Sequence, residues 1–174
     1  GYIQTTPIQL CLMTAQIANG GYKIYPKIVM DDENKVSPID KFTPLYKNSK
    51  NIKIVQDAMF ASTNEVRGTS YRSRIDDPKY QFAGKTGTAQ VKKITERDRE
   101  LDLKTFQIPY EERDHALYIA YGPYKNPRYA VSILVEHGGN GSTTAAPMAK
   151  KLFKTIIDRH QLRESINNKK YLDI

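Results

Sequence analysis

The sequence predicts an α+β fold: an antiparallel sheet with helices packed on its faces. Three observations carry that expectation. Ala116 to Tyr121 and Tyr129 to Glu136 flank the turn chemistry of Gly122-Pro123-Tyr124-Lys125-Asn126-Pro127, so they form a hairpin. A further strand-like run spans Gln81 to Val91. Segments with apolar residues at helical spacing lie on either side of these strands.

The elements follow in order. Thr6-Pro7 opens a first helix, with Thr6 as N-cap and Pro7 at the first helical position. Ile8, Cys11, Leu12, Ala15 and Ala18 recur at helical spacing, and Gly20-Gly21 ends the run. Tyr22 to Met30 is expected to be a short strand, and Asp31 to Lys47 a polar connection with two prolines. Ser49 is the expected cap of a second helix, whose face is Ile52, Val55, Ala58, Met59 and Ser62, ending near Asn64. Arg67-Gly68-Thr69 reads as a helix stop, and Ser70 to Lys79 as a loop. Residues 92–113 are dense in charge without strand pattern, and are expected to be a surface insertion holding at most a helical turn. After the hairpin, Gly138-Gly139-Asn140-Gly141 is a tight turn rather than a phosphate cradle, since no Gly-Lys-Ser/Thr accompanies it. A last helix starts near Thr144, with Met148, Leu152, Phe153, Ile156 and Ile157 as its expected buried stripe. Residues 163–174 are expected to be a frayed, flexible tail. Strands at 81–91, 115–122 and 128–136 should be neighbours in the sheet, with the last helix across one face.

At 174 residues the chain can bury a real core as one domain. The net charge of +8 and pI ≈ 9.4 permit nucleic acid, anionic membrane surface or cell-wall polymer as neighbours and select none. The clusters Lys92, Lys93, Arg97, Arg99 and Lys150, Lys151, Lys154, Arg159, Arg163 lack the interleaved aromatics that stack bases. They read as solvated faces, and no nucleic-acid partner is expected. The single Cys11 cannot form an internal disulfide and reads as a small core residue. His115, His137 and His160 are far apart in sequence and show no metal-ligand spacing, so neither metal nor cofactor is expected; His137 reads as structural. No apolar run approaches the about 20 residues that a membrane helix needs. The chain begins at Gly1 without a signal-peptide pattern, which reads as a piece of a longer protein.

The most informative stretch is Gly84-Lys85-Thr86-Gly87-Thr88-Ala89-Gln90-Val91. It places a cation, two hydroxyls and small residues on what reads as an edge strand. Lys-Thr-Gly is a serine acyl-transfer motif that accompanies Ser-x-x-Lys and Ser-Asp-Asn elements. No Ser-x-x-Lys occurs in this sequence. The chain therefore reads as one wall of an active site whose nucleophile lies elsewhere. A bare Lys-Thr-Gly arises often by chance; its strand placement and its neighbours carry the reading.

The element order resembles the C-terminal half of a penicillin-binding transpeptidase domain. Gly1-Tyr2-Ile3-Gln4-Thr5-Thr6-Pro7-Ile8-Gln9-Leu10 is similar to the Gly-Tyr…Thr-Pro-x-Gln-Leu helix start of class B members, and Gly84 to Val91 to their third motif. Asp114-His115-Ala116 to Tyr121, with Glu136-His137-Gly138-Gly139, resembles the elongation-type branch. The resemblance runs from Gly1 to about Arg159. The family's nucleophile and Ser-x-Asn motifs belong upstream of Gly1. Ser49-Lys50-Asn51, Ser62-Thr63-Asn64 and Ser165-Ile166-Asn167 match the second pattern, but none precedes Thr-Pro and none takes a family role.

The resemblance implies a peptidoglycan D,D-transpeptidase that acts on D-alanyl-D-alanine stem peptides through an acyl-serine and binds β-lactams. It implies that Lys85 brings positive charge to the substrate carboxylate and the proton network. Thr86 and Thr88 would bond that carboxylate, Gly87 would admit the substrate backbone, and the Thr88 N–H would be an oxyanion donor. It also implies the periplasmic side of a bacterial inner membrane. Two readings stay open beside it: a D,D-carboxypeptidase, and a non-catalytic sensor or scaffold domain of the same fold. Alone, the chain is expected to be inactive. Its strand at 128–136 would expose an edge, so the N-terminal part of the same protein is expected as a companion.

Overall fold

The structure is a computed structural model and describes residues 3–28, 43–93, 96–101 and 103–172. The expected roles of Gly1-Tyr2 and of residues 29–42 lie outside these. Thr6 caps α1 (Pro7–Ala18) through a reciprocal pair: its hydroxyl accepts from the Gln9 N–H, and the Gln9 side chain accepts from the Thr6 N–H at 2.8 Å. Asn48, not Ser49, caps α2 (Ser49–Asn64), its side-chain oxygen accepting from the Lys50 N–H at 3.0 Å. Asn48 holds extended backbone, which leaves Ser49 to begin the helix.

The strand expected at Tyr22–Met30 does not form in its described part. Only an isolated bridge joins Tyr22 to Pro44, flanked by bonds from Lys23 N–H to the Thr43 carbonyl and from Leu45 N–H to the Gly21 carbonyl, each 2.8 Å. Pro26 and Pro44 have no N–H with which to extend a ladder.

Three antiparallel strands make one sheet in the order β1 (Ala83–Ala89), β2 (His115–Gly122), β3 (Tyr129–Val135). Between β1 and β2 the chain makes α3 (Glu96–Leu101) and two single 3₁₀ turns, with mostly exposed side chains where these are described. The last helix, α4 (Ala145–Leu172), continues well past residue 163, where the sequence reading began a tail. No glycine or proline follows Pro147 to stop it, and His160 pairs with Glu164 one turn on, at 2.9 Å.

The pleat of β2 sorts the core into two layers. Ala116, Tyr118 and Ala120 face α4 and are fully buried with Phe82, Ala145, Ala146, Ala149 and Phe153. Tyr121 and Ala83 face the other way, against Ile17 of α1 and Met59 of α2. The buried side of α4 is thus built on alanines, which let the helix lie close to the sheet. Met148 and Leu152, expected inside, are 49% and 37% exposed. A similar shift occurs on α2: Ile52, Met59 and Thr63 are buried, whereas Val55 and Ala58 are exposed.

Candidate active site

β1 is a sheet edge among the described residues, and its register sets the site. Lys85 pairs with Ile119 and Gly87 with Leu117, while Thr86 pairs with Tyr118 and Thr88 with Ala116. Lys85 and Gly87 therefore share the α1/α2 face, and Thr86 and Thr88 share the α4 face. The exposed Lys85 ammonium nonetheless reaches its neighbour, donating to the Thr86 carbonyl at 2.9 Å and to Thr86 Oγ1 at 3.2 Å. Thr86 Oγ1 lies 3.5 Å from Thr69 Oγ1, which lies 3.1 Å from Ser62 Oγ. A line of hydroxyls thus runs from the end of α2 to the Lys-Thr-Gly strand. Thr88 is exposed and stands outside this line.

Ser62 and Thr69 were missed as site residues; the first read as a helix-face residue and the second as part of a helix stop. The signal was present as two hydroxyl pairs seven residues apart, Ser62/Thr69 and Thr63/Ser70, astride Gly68. The chain folds back there: the Ser70 N–H donates to the Ser62 carbonyl at 3.0 Å, and the Thr63 and Ser70 hydroxyls are 3.3 Å apart. A Cβ on Gly68 would stand 2.5 Å from the Ala61 carbonyl oxygen, so only glycine permits the return.

Three supports fix β1. Tyr118 passes its phenol beneath Gly84 to bond Thr63 and Ser70. The glycine turn rests on Gly87, because a Cβ on Gly141 would lie 2.8 Å from the Gly87 carbonyl oxygen. At the far end, the two histidines that are distant in sequence meet: the His137 N–H donates to His115 Nδ1 at 2.9 Å, and His115 pairs with Ala89 of β1. Asp114 ties in both flanks, accepting from the Val91 N–H at 3.2 Å on its side chain and from the Gly139 N–H at 2.8 Å on its carbonyl. No group of three or more His, Cys, Asp or Glu able to hold a metal occurs among the described residues.

On the α2 side of Lys85 lies a cavity of ≈ 590 Å³, lined by Ile17, Val55, Ala58, Met59, Ser62, Thr69, Lys85 and Ile119 among others. Its walls are mainly apolar, and Ser62, Thr69 and Lys85 of the hydroxyl line are among them. Hydroxyls, a cation and an open strand edge beside a concave surface suit recognition of an extended peptide with a terminal carboxylate. No described helix is long and apolar enough to cross a membrane.

The chain is similar to known proteins in sequence and in fold. The chain is 32% identical over 170 residues to peptidoglycan D,D-transpeptidase MrdA of Salmonella typhimurium, covering 91% of this chain and 26% of that protein. It is 32% identical over 164 residues to the MrdA of Haemophilus influenzae, covering 91% and 25%. The chain thus spans about a quarter of the length of the curated relatives it matches. Among solved structures, the complex between the penicillin-binding protein PBP2 and MreC from Helicobacter pylori matches with TM-score 0.71 and 28% identity, over 91% of this chain and 26% of that one. Pseudomonas aeruginosa PBP2 in complex with WCK 5153 matches with TM-score 0.65 and 34% identity, over 89% and 31%. Residues 1–157 match the penicillin binding protein transpeptidase domain, and the chain belongs to that family.

Proposed function

We propose that the whole protein is a serine-type peptidoglycan D,D-transpeptidase and that this chain supplies the Lys-Thr-Gly wall of its site. The carrying observation is Lys85-Thr86-Gly87-Thr88 on a sheet edge beside a cavity, with the Lys85 ammonium drawn onto Thr86. A serine from another segment attacks the carbonyl carbon of the penultimate D-alanine. The amide C–N bond breaks, and the terminal D-alanine leaves with a proton. The amine of a second stem then attacks the acyl-serine ester, forming the cross-link and freeing the serine.

In this reading Thr86 and Thr88 hold the terminal carboxylate, and Lys85 stabilises it and the proton network. Gly87 lets the substrate backbone approach β1, and the Thr88 N–H donates to the developing oxyanion. Removing one such donor costs about 10²–10³ in rate. The exposed apolar side of α2, with Ile54 66% and Val55 41% exposed, suits packing by the segment that brings the serine. β-Lactams acylate the same serine as substrate mimics. The site works outside the cytoplasmic membrane, on the periplasmic side, where its polymer substrate lies.

The test is labelling with a fluorescent penicillin, read by intact mass, on the 174-residue chain and on the full-length protein. An adduct on the full-length protein alone supports the reading. An adduct on the short chain places the nucleophile within it and overturns the assignment. No adduct on either favours a non-catalytic domain. Product masses with a D-alanyl-D-alanine peptide and an amine acceptor then separate cross-linking from hydrolysis.

A further inference from the structure

Among the described residues, His137 alone has a positive φ without being glycine, at 53°. Such backbone is unfavourable for a residue with a side chain, so the corner persists only where its surroundings hold it. It opens the glycine turn, in which Gly139 also has a positive φ and Gly141 rests on Gly87 of β1. Two hydrogen bonds join this corner to the start of β2. The Gly139 N–H donates to the Asp114 carbonyl at 2.8 Å, and the His137 N–H donates to His115 Nδ1 at 2.9 Å. The first runs between backbone groups and does not titrate. The second ends on an imidazole.

These bonds set the tautomers of both rings. His115 Nδ1 accepts, so that ring carries its hydrogen on Nε2. His137 Nδ1 lies 3.1 Å from the Arg113 carbonyl oxygen, so it donates and Nε2 holds the lone pair. A second proton on His137 goes to Nε2 and leaves its bond intact. A second proton on His115 goes to Nδ1 and sets one N–H against another, so the corner loses its hold. The rings thus answer acid differently, although their centroids are only 4.9 Å apart. The Tyr110 ring covers His137 at 4.9 Å, and Glu136 beside it is exposed. The charged side chains of the segment leading into β2 are engaged elsewhere: Asp114 by the Val91 N–H, Arg113 by the Ile108 carbonyl, and Glu112 by Lys92, which follows β1. Histidine is the side chain that ordinarily changes charge between about pH 5 and 8.

We propose that His115 is a positioning residue for acyl transfer, holding the glycine turn against β1 only while its Nδ1 is unprotonated. His115 touches no substrate; it acts through the His137 corner, Gly141 and Gly87. Gly87 immediately precedes Thr88, so release of the corner loosens the strand where the oxyanion donor must be aligned. The proposal rests on the transpeptidase reading, in which that donor is the Thr88 N–H.

The experiment measures acylation of the full-length protein by a fluorescent penicillin across pH, for the wild type, His115→Asn and His137→Asn. Asparagine at 115 keeps an acceptor oxygen near the place of Nδ1 and does not titrate. Dividing the wild-type rate by the His115→Asn rate removes acid effects that arise elsewhere in the site. That ratio should fall about three- to tenfold between about pH 8 and pH 5.5. His137→Asn keeps the backbone donor and a residue that tolerates positive φ, so it should lose rate in acid as the wild type does. A ratio that stays constant with pH overturns the proposal. So does a His137→Asn protein that no longer loses rate in acid, since the proton would then act on His137. A second measurement needs no variant to fold. Hydrogen exchange of the wild type, corrected for the intrinsic effect of pH, should show protection of residues 136–141 falling about threefold or more over that range, while residues 116–121 keep theirs. Unchanged protection of 136–141 overturns the proposal too. Failure of the wild type to take a penicillin adduct would sink the transpeptidase reading instead, and the exchange measurement would still decide whether His115 holds the corner.

Discussion

Tyr118 reaches Thr63 by passing beneath Gly84. Its hydroxyl lies 2.9 Å from Thr63 Oγ1 and 3.0 Å from Ser70 Oγ, and a Cβ on Gly84 would stand 2.5 Å from the phenol Cζ. The residue before Lys85 is therefore glycine because β2 sends a side chain through the space a Cβ would fill. That crossing ties the strand to the turn carrying Thr69.

Gly84→Ala should lower stability by about 1–3 kcal/mol through overpacking, and should also slow penicillin acylation because Lys85 moves with its neighbour. Tyr118→Phe should cost about 1 kcal/mol, since Thr63 and Ser70 keep each other and backbone acceptors. Denaturant unfolding and acylation of the full-length variants measure both. A Gly84→Ala protein with wild-type midpoint and rate would show that the crossing constrains nothing.

Gly141 is a positioning residue of a different kind. It touches no proposed substrate, but its α-carbon sits against the backbone of Gly87, and a Cβ there would meet the Gly87 oxygen at 2.8 Å and its nitrogen at 3.3 Å. Gly141→Ala should displace the centre of β1 by a fraction of an ångström. Misplacement on that scale costs about 10- to 100-fold in a rate that depends on alignment. The acylation rate should therefore fall more than the unfolding midpoint does. Proportionate loss of both would reduce Gly141 to a packing residue.

What the sequence made legible divides by range. The hairpin, the Lys-Thr-Gly strand and the Thr6 cap are local: turn residues, β-branching and a cap three residues from its partner are written in adjacent letters. The burial of α4 was misjudged because size was taken for depth; Ala145, Ala146 and Ala149 are buried since they are small, and Met148 is turned out. α4 runs on past residue 163, since nothing in the polar run there breaks a helix, and local polarity alone does not tell an exposed helix from a tail. The pairing of His115 with His137, and of Gly141 with Gly87, depends on three-dimensional closure of the sheet and glycine turn, which no spacing rule contains. The Ser62–Thr69 and Thr63–Ser70 pairs lay between these cases, visible as a repeat of seven once Gly68 is taken as a reversal.

Thr69 lines the cavity beside Lys85, and its hydroxyl joins Ser62 to Thr86. Thr69→Val keeps the shape and deletes the hydrogen bonds. The 3.5 Å contact with Thr86 is long, so the stability change should be well under about 1 kcal/mol. The effect should fall on substrate handling: a rise in KM for D-alanyl-D-alanine peptides of about three- to tenfold, with kcat less affected. Rescue by Thr69→Ser would assign the effect to the hydroxyl. No rescue, or an equal fall in kcat, would assign it to the turn's backbone.

Asp158 tethers α4 to the segment before β1, accepting from the Tyr80 hydroxyl and from Lys79 Nζ, the latter at 3.1 Å. These contacts, Tyr80 first and Lys79 second, hold its carboxyl below the usual aspartate range. A carboxyl lowered on folding contributes stability above its unfolded value of about 3.9, and that contribution is lost as pH falls through the lower folded value. Lys79 is raised, chiefly by Tyr80, so its share is complete below the ordinary lysine range and is lost only as pH rises through the raised value. The tether is therefore whole at neutral pH and fades at both extremes. It is solvent-exposed, so its contribution is small and salt-sensitive. Asp158→Asn should melt slightly below the wild type at pH 7, more so at low salt, and the gap should close as pH falls through the lowered folded value of the aspartate and its charge is lost. Thermal melts of both proteins across pH at two salt concentrations check this. A gap that persists unchanged in acid would mean that the asparagine disturbs packing on α4 and that the charge contributes nothing.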